Sequence, residues 1–106
     1  MIHHVVLFRL RASAEQTAEA LAAEAAERAA ALRTKVPGAE TLEVRLNSPD
    51  ADGTNSQLLL HGVFPDFAAL ERYAKHPAHL EFVGFIRQHL AENGRSCIDY
   101  ETDGAE

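Results

Sequence analysis

The sequence predicts an α+β domain of the ferredoxin-like type, with a four-stranded antiparallel sheet and helices on one face. Three observations carry this reading. Strand-like and helix-like segments follow one another in the order β-α-β-β-α-α-β, which contains a split βαβ unit. The first and third strands are apolar on both faces, whereas the second alternates. The length, 106 residues, suits a single domain with a single core, so residues 1–101 are read as one domain.

The segment Ile2 to Leu10 (IHHVVLFRL) reads as a strand, being rich in β-branched and aromatic residues and free of Gly and Pro. Ile2, His4, Val6, Phe8 and Leu10 share one face; His3, Val5, Leu7 and Arg9 share the other. Ser13 with Gln16 three residues on is a capping-box pattern. From Ala14 to about Thr34 the chain is dominated by Ala, Glu and Arg, and predicts a helix. Its inner stripe is expected to be Ala18, Leu21, Ala25, Leu32 and Val36, with Glu24 and Arg28 paired outside. Pro37-Gly38 ends it.

Glu40 to Asn47 alternates, with Leu42, Val44 and Leu46 on one face. A run of turn residues from Ser48 to Asn55 then predicts a polar loop. Gln57 to Phe64 is the third strand, in which Gly62 signals a bulge or a close approach. Asp66 is placed to cap a short helix over Phe67 to Lys75 with Phe67, Leu70 and Ala74 inward. His76-Pro77 breaks it, and Pro77 opens a further helix to about Glu92, ended by Asn93-Gly94. Arg95 to Glu101 is the last strand, and Thr102 to Glu106 a frayed tail.

Helices can cover only one face of such a sheet, which leaves an apolar face uncovered on the first and third strands. A second copy packing sheet to sheet, closing a dimeric α/β barrel, is the expected solution. His3 and His61 are expected at that interface, and His89 at the surface.

Composition sets further bounds. With 46% hydrophobic and 25% charged residues, the chain has the profile of an ordinary globular domain. The net charge of −6 argues against nucleic acid and against an anionic membrane surface. No apolar run approaches a membrane span, and no secretory leader is expected. Cys97 is the single cysteine, so an intrachain disulfide is impossible, which fits a cytoplasmic setting; in its strand it reads as core packing. There is no GxSxG, GxGxxG, P-loop or HExxH motif, and the histidines lack metal-ligand spacing, so neither a cofactor nor a metal site is expected.

His79 stands out. Phe82, Val83, Ile86 and Leu90 lie within about 60° of its direction on the helix, so its ring faces the core. Tyr73 precedes the helix break, and its hydroxyl is expected to reach His79. Such a pair beside an apolar pocket can abstract and return a proton. The competing reading is a core histidine satisfied by a tyrosine or a backbone carbonyl.

The opening HHVVLFRL, the Val36-Pro37-Gly38 turn, the stretch FAALERYAKHPAHLEFVGFIR and the closing Ile98-Asp99-Tyr100 together resemble the stress-responsive α/β-barrel (Dabb) family, from Ile2 to Tyr100. The resemblance implies a dimeric barrel. It also implies, by similarity to a plant polyketide cyclase of the family, cofactor-free aldol chemistry with Tyr73 and His79 as catalytic residues and His4 in the cavity. That cyclase carries a third-strand histidine where this chain has Leu58. A pocket for a small apolar or aromatic ligand is therefore expected from His4, Val6, Leu58, Phe82, Val83 and Ile86. Some plant relatives hold a cation on backbone carbonyls at the end of the first helix, near Arg33, Val36 and Ala39 here. A non-catalytic binding dimer and a cofactor-free monooxygenase are the alternatives.

Overall fold

A computed structural model describes residues 1–103. The order is β1 (Ile2–Leu10), α1 (Ala18–Lys35), β2 (Thr41–Leu46), β3 (Leu58–Phe64), α2 (Phe67–Lys75), α3 (Pro77–His89) and β4 (Leu90–Glu101). The strands form one sheet in the order β2-β3-β1-β4, and every neighbouring pair is antiparallel. This is the ferredoxin-like arrangement expected from the sequence.

The pleat sorts the side chains. Ile2, Val6, Phe8 and Leu10 of β1 and Leu58, Leu60 and Phe64 of β3 are buried under the helices. They meet Leu21, Ala22, Ala25, Ala29 and Leu32 of α1, Ala69, Leu70 and Tyr73 of α2, and Phe82 and Ile86 of α3. Three buried alanines let α1 lie close to the sheet, because a methyl group holds the backbones least far apart. On the opposite face the register aligns Val5 with His61 and Ile98, and Leu7 with Leu59 and Ser96. Gly62 is buried beside the Phe64 ring, and a Cβ there would lie 2.8 Å from it, so the expected close approach is present.

Several boundaries differ from the sequence reading. The cap of α1 is Thr17, whose hydroxyl accepts from the Ala20 amide, and the helix begins at Ala18 rather than Ala14. Ser13 caps a separate turn instead, accepting from the Gln16 amide at 3.1 Å. Two capping residues compete here, and the second starts the helix that packs. Ala18 is consequently only half-buried, and Ala22 and Ala29 join the buried stripe. In α2 the inward residues are Ala69, Leu70 and Tyr73, and Phe67 is 57% exposed, because the short helix is rotated from the expected face.

The largest shift is at the last strand. Asn93-Gly94 does not end a helix; α3 stops at His89 and β4 already begins at Leu90. Asn93 has φ 55° and a Cβ on Gly94 would lie 2.3 Å from the Arg9 carbonyl oxygen. Leu10 pairs with Leu90 while Phe8 pairs with Arg95, so the extra residues of β4 bulge outward at this dipeptide. A left-handed residue followed by a glycine serves a bulge as well as a helix end.

Thr102, expected to open the tail, is held: its amide donates to the Met1 carbonyl, and the Met1 amine donates to the Thr102 carbonyl. The remainder of the expected tail, 104–106, lies outside the described residues. Among the described residues no helix is long and apolar enough to cross a membrane.

Candidate functional site

The break between α2 and α3 builds the site. His76 caps α3: its Nδ1 accepts from the Ala78 amide at 3.1 Å. Pro77 follows at the first position of the helix, where its missing N–H costs nothing. The last carbonyls of α2 lack helical partners, and His79 takes one of them. Its Nδ1 lies 3.1 Å from the Ala74 carbonyl oxygen. A carbonyl only accepts, so Nδ1 carries the hydrogen and Nε2 keeps a free lone pair.

His79 borders a cavity of about 230 Å³ between the sheet and helices α2 and α3. The other expected pocket residues His4, Val6, Phe82, Val83 and Ile86 line it, as does Tyr73. Leu58 does not: it is 1% exposed, packed opposite Phe8 and Leu46, and the same-face neighbour Leu60 takes its place in the wall. The resemblance pointed to position 58, but only the register places the cavity along the strand.

Tyr73 packs against the His79 ring at 4.6 Å between centroids and against Phe64 at 5.1 Å, the planes tilted by 53° and 58°. The expected hydroxyl bond to His79 is not made, because the nearer Ala74 carbonyl satisfies the ring. No side-chain polar atom among the described residues is both sealed from solvent and unpartnered, so the Tyr73 hydroxyl keeps solvent access; the residue lines both this cavity and the one at the end of α1. Burial pushes its pKa up to about 12, which keeps it a proton donor at neutral pH. Desolvation lowers the pKa of His79, opposed by its bond to Ala74 and assisted by the electrostatic influence of His4, Arg95 and His76 nearby. A neutral imidazole with one free nitrogen beside an apolar cavity can accept a proton.

His4 is fixed by Asp99, 2.5 Å from its Nδ1. Asp99 follows from β4 lying antiparallel to β1, in the register His4 to Asp99. Sequence reasoning gave Asp99 no role in the site; the C-x-D alternation Cys97-Ile98-Asp99 opposite a first-strand histidine was its only signal. Cys97 is also misplaced by that reasoning. It is exposed rather than core, because β4 is an edge strand and the helices do not reach over it. Burial and the Asp99 carboxylate raise its pKa, against the Arg95 charge. Arg87 and Arg95 bring permanent positive charge to the cavity wall.

His3 and His61 lie on the open face, joined Nδ1 to Nε2 at 2.9 Å, and His3 stacks on Tyr100. His89 is half-buried against Phe85, not fully at the surface. A second cavity, of about 170 Å³, lies at the end of α1 beside Arg33, Val36 and Ala39. Arg33 donates from Nε to the Leu42 carbonyl, and its charge in that wall works against a cation.

Comparison with known proteins places these features. The stress responsive A/B barrel domain (Dabb) matches residues 2–102. No curated protein matches the chain. A dimeric protein of unknown function and ferredoxin-like fold from Bacteroides fragilis is 28% identical, with TM-score 0.79 and 95% of both chains covered. A Dabb family protein with a ferredoxin-like fold from Mesorhizobium loti is 25% identical, with TM-score 0.71 and 97% of both chains covered. SnoaB, a cofactor-independent oxygenase from Streptomyces nogalater, shares the fold at 17% identity and TM-score 0.70, over 96% of this chain and 92% of that one.

Proposed function

Because the chain belongs to the stress responsive A/B barrel domain family, we propose that it is a cytoplasmic homodimer performing cofactor-free acid–base chemistry on a small apolar or aromatic compound. The observation that carries this reading is the tethered His79: one ring nitrogen is spent on Ala74, and the other is free at a cavity wall. His79 is the general base that removes a proton next to a carbonyl. Tyr73, protonated at neutral pH, donates to the enolate oxygen that develops. Arg87 and Arg95 favour a substrate with an acidic oxygen, such as a polyketide-like acid. Aldol cyclisation and isomerisation both fit this step.

The dimer forms through the open sheet face. Ile98 is 61% and Tyr100 41% exposed there, an apolar surface unusual for a monomer. The Bacteroides fragilis protein is described as dimeric, which supports the same assembly here.

The test is deuterium wash-in at the α-carbon of aromatic and polyketide-like ketones, followed by NMR with the purified protein. His79→Ala is expected to abolish protein-dependent exchange while leaving a folded dimer. Absence of exchange, or exchange retained in His79→Ala, removes His79 from the mechanism. One comparison favours a second reading, a cofactor-free monooxygenase, since SnoaB is described as a cofactor-independent oxygenase. Oxygen consumption with a hydroquinone panel separates the two. A protein that binds such ligands without turnover leaves the binding-dimer reading in place.

A further inference from the structure

The donor atoms of His4, Cys97 and Asp99 converge on one point at the edge of the sheet, all within 4.8 Å of one another. His4 Nδ1 is 2.5 Å from Asp99 Oδ1, and Cys97 Sγ is 3.6 Å from His4 Nδ1 and 3.9 Å from Asp99 Oδ1. Two functions are open to such a trio. A nucleophile relay needs the thiol on one ring nitrogen and the carboxylate on the other. Here both partners address the same nitrogen, Nδ1, so a relay cannot run through the ring. A metal ion needs the opposite arrangement, with all donors aimed at a common centre.

We infer that His4, Cys97 and Asp99 form a three-ligand site for a divalent ion of the zinc class. The donor set is one imidazole, one thiolate and one carboxylate, each an ordinary zinc ligand. In a tetrahedral site with metal–ligand distances of about 2.0–2.3 Å, neighbouring donors lie roughly 3.5 Å apart. The 3.6 Å Cys97–His4 distance already matches and the 3.9 Å Cys97–Asp99 distance must close by a few tenths of an ångström, while the His4–Asp99 pair must open to admit the ion between them. The scaffold is stiff, because Cys97 and Asp99 are alternate residues of β4 and His4 pairs with Asp99 across the ladder. Binding releases the thiol proton of Cys97 and moves the His4 hydrogen to Nε2, so one proton leaves per ion. The fourth position is left for water or a ligand, beside the cavity that His4 also lines. Arg95 is the opposing charge: it neighbours Cys97 and must turn away when the cation enters.

Cobalt(II) is the probe, added to chelator-stripped protein. The expected result is one ion per chain with a near-ultraviolet thiolate-to-cobalt charge-transfer band, displaced by zinc. The chain has a single cysteine, so that band has one source. Cys97→Ser is expected to abolish it, and His4→Ala and Asp99→Asn each to weaken binding at least about tenfold. His79→Gln and Arg95→Ala are expected not to weaken it. Circular dichroism checks that each variant is folded; should Cys97→Ser fail, Asp99→Asn carries the test alone. No band with the wild-type chain overturns the site, and so does a band whose midpoint is unchanged in both His4→Ala and Asp99→Asn.

Discussion

The imidazole of His79 is tied by Nδ1 to the carbonyl oxygen of Ala74, 3.1 Å away and on the far side of a helix break. The tie converts an unsatisfied helix-end carbonyl into a device that fixes the tautomer of the ring. It also explains why His76-Pro77 matters: the cap and the proline turn the chain so that the first turn of α3 meets the last of α2. The base in the proposed reaction is thus oriented by backbone, and Tyr73 is left free of that duty.

The titration of His79 gives a signed prediction for both stability and rate. Desolvation holds its folded pKa below the ordinary imidazole value. The unfolded chain therefore binds this proton more readily than the folded one. The group's contribution is fully present above the unfolded value of about 6.5 and is lost as pH falls toward the folded one. Thermal melts across pH 5–8 are expected to show this loss, and His79→Gln to flatten it. In turnover, the acidic limb of kcat/KM is expected below about 6.5, since the neutral ring is the active form.

Ile98→Asp tests the dimer. Ile98 is exposed on the open face of β4, aligned with Val5 of the neighbouring β1, and an aspartate in its place would bury an unpaired charge between two sheets. Sedimentation velocity is expected to show a monomer or a strongly weakened dimer. A variant dimer as stable as the wild type would move the interface elsewhere.

The start of α1 separates two candidate caps. Thr17 Oγ1 accepts from the Ala20 amide at 3.0 Å, so Thr17→Ala is expected to cost about 1 kcal/mol. Ser13 serves a turn outside the helix, and Ser13→Ala is expected to cost less than half as much, within about 0.5 kcal/mol. Urea unfolding of the two variants ranks them; the reverse order would restore the helix start to Ala14.

Glycine positions divide in the same manner. A Cβ at Gly94 meets the Arg9 carbonyl at 2.3 Å and the Ala91 carbonyl at 2.7 Å, neither of which is a flexible side chain. Gly94→Ala is expected to cost on the order of 1–3 kcal/mol through backbone shifts at the bulge. Gly53, in the 48–55 loop, has nothing within 4 Å of such a Cβ, and Gly53→Ala is expected to be nearly neutral.

How far the sequence reached depends on the range of the interactions involved. The apolar, β-branched runs of β1 and β3, the Asp66 cap and the apolar stripe carrying His79 are local properties, so they could be read directly. Tyr73 was legible from its place just before the helix break, and the resemblance to the family assigned it and His4 roles at the site. What failed depends on tertiary register. Leu58 and Leu60 look alike in a strand, and only pairing with Val6 puts Leu60 at the cavity. Cys97 looks like core until β4 is known to be an edge strand. The convergence of Cys97 and Asp99 on His4 spans more than ninety residues of chain and is invisible to spacing. Asn93-Gly94 carries a signal that two different structures satisfy, and the β1–β4 ladder decides between them.

Tyr73→Phe isolates the role of the hydroxyl. The ring is 3% exposed and packs between Phe64 and His79, and phenylalanine preserves both contacts. The hydroxyl has no hydrogen-bond partner among the described residues, so the variant is expected to fold with stability within about 0.5 kcal/mol of wild type. Tyr73→Ala, by contrast, empties the space between two rings and is expected to cost about 3–5 kcal/mol, as deletion of a buried aromatic does. If the hydroxyl donates to a developing enolate, Tyr73→Phe lowers kcat by about 10²–10³-fold, the usual effect of removing one oxyanion donor, and leaves ligand affinity little changed. Isothermal titration with a ligand, alongside the deuterium wash-in rate, separates the two quantities. An unchanged exchange rate in Tyr73→Phe would leave Tyr73 as a wall of the pocket and pass the donor's role to His4 or Arg95, both of which line the same cavity.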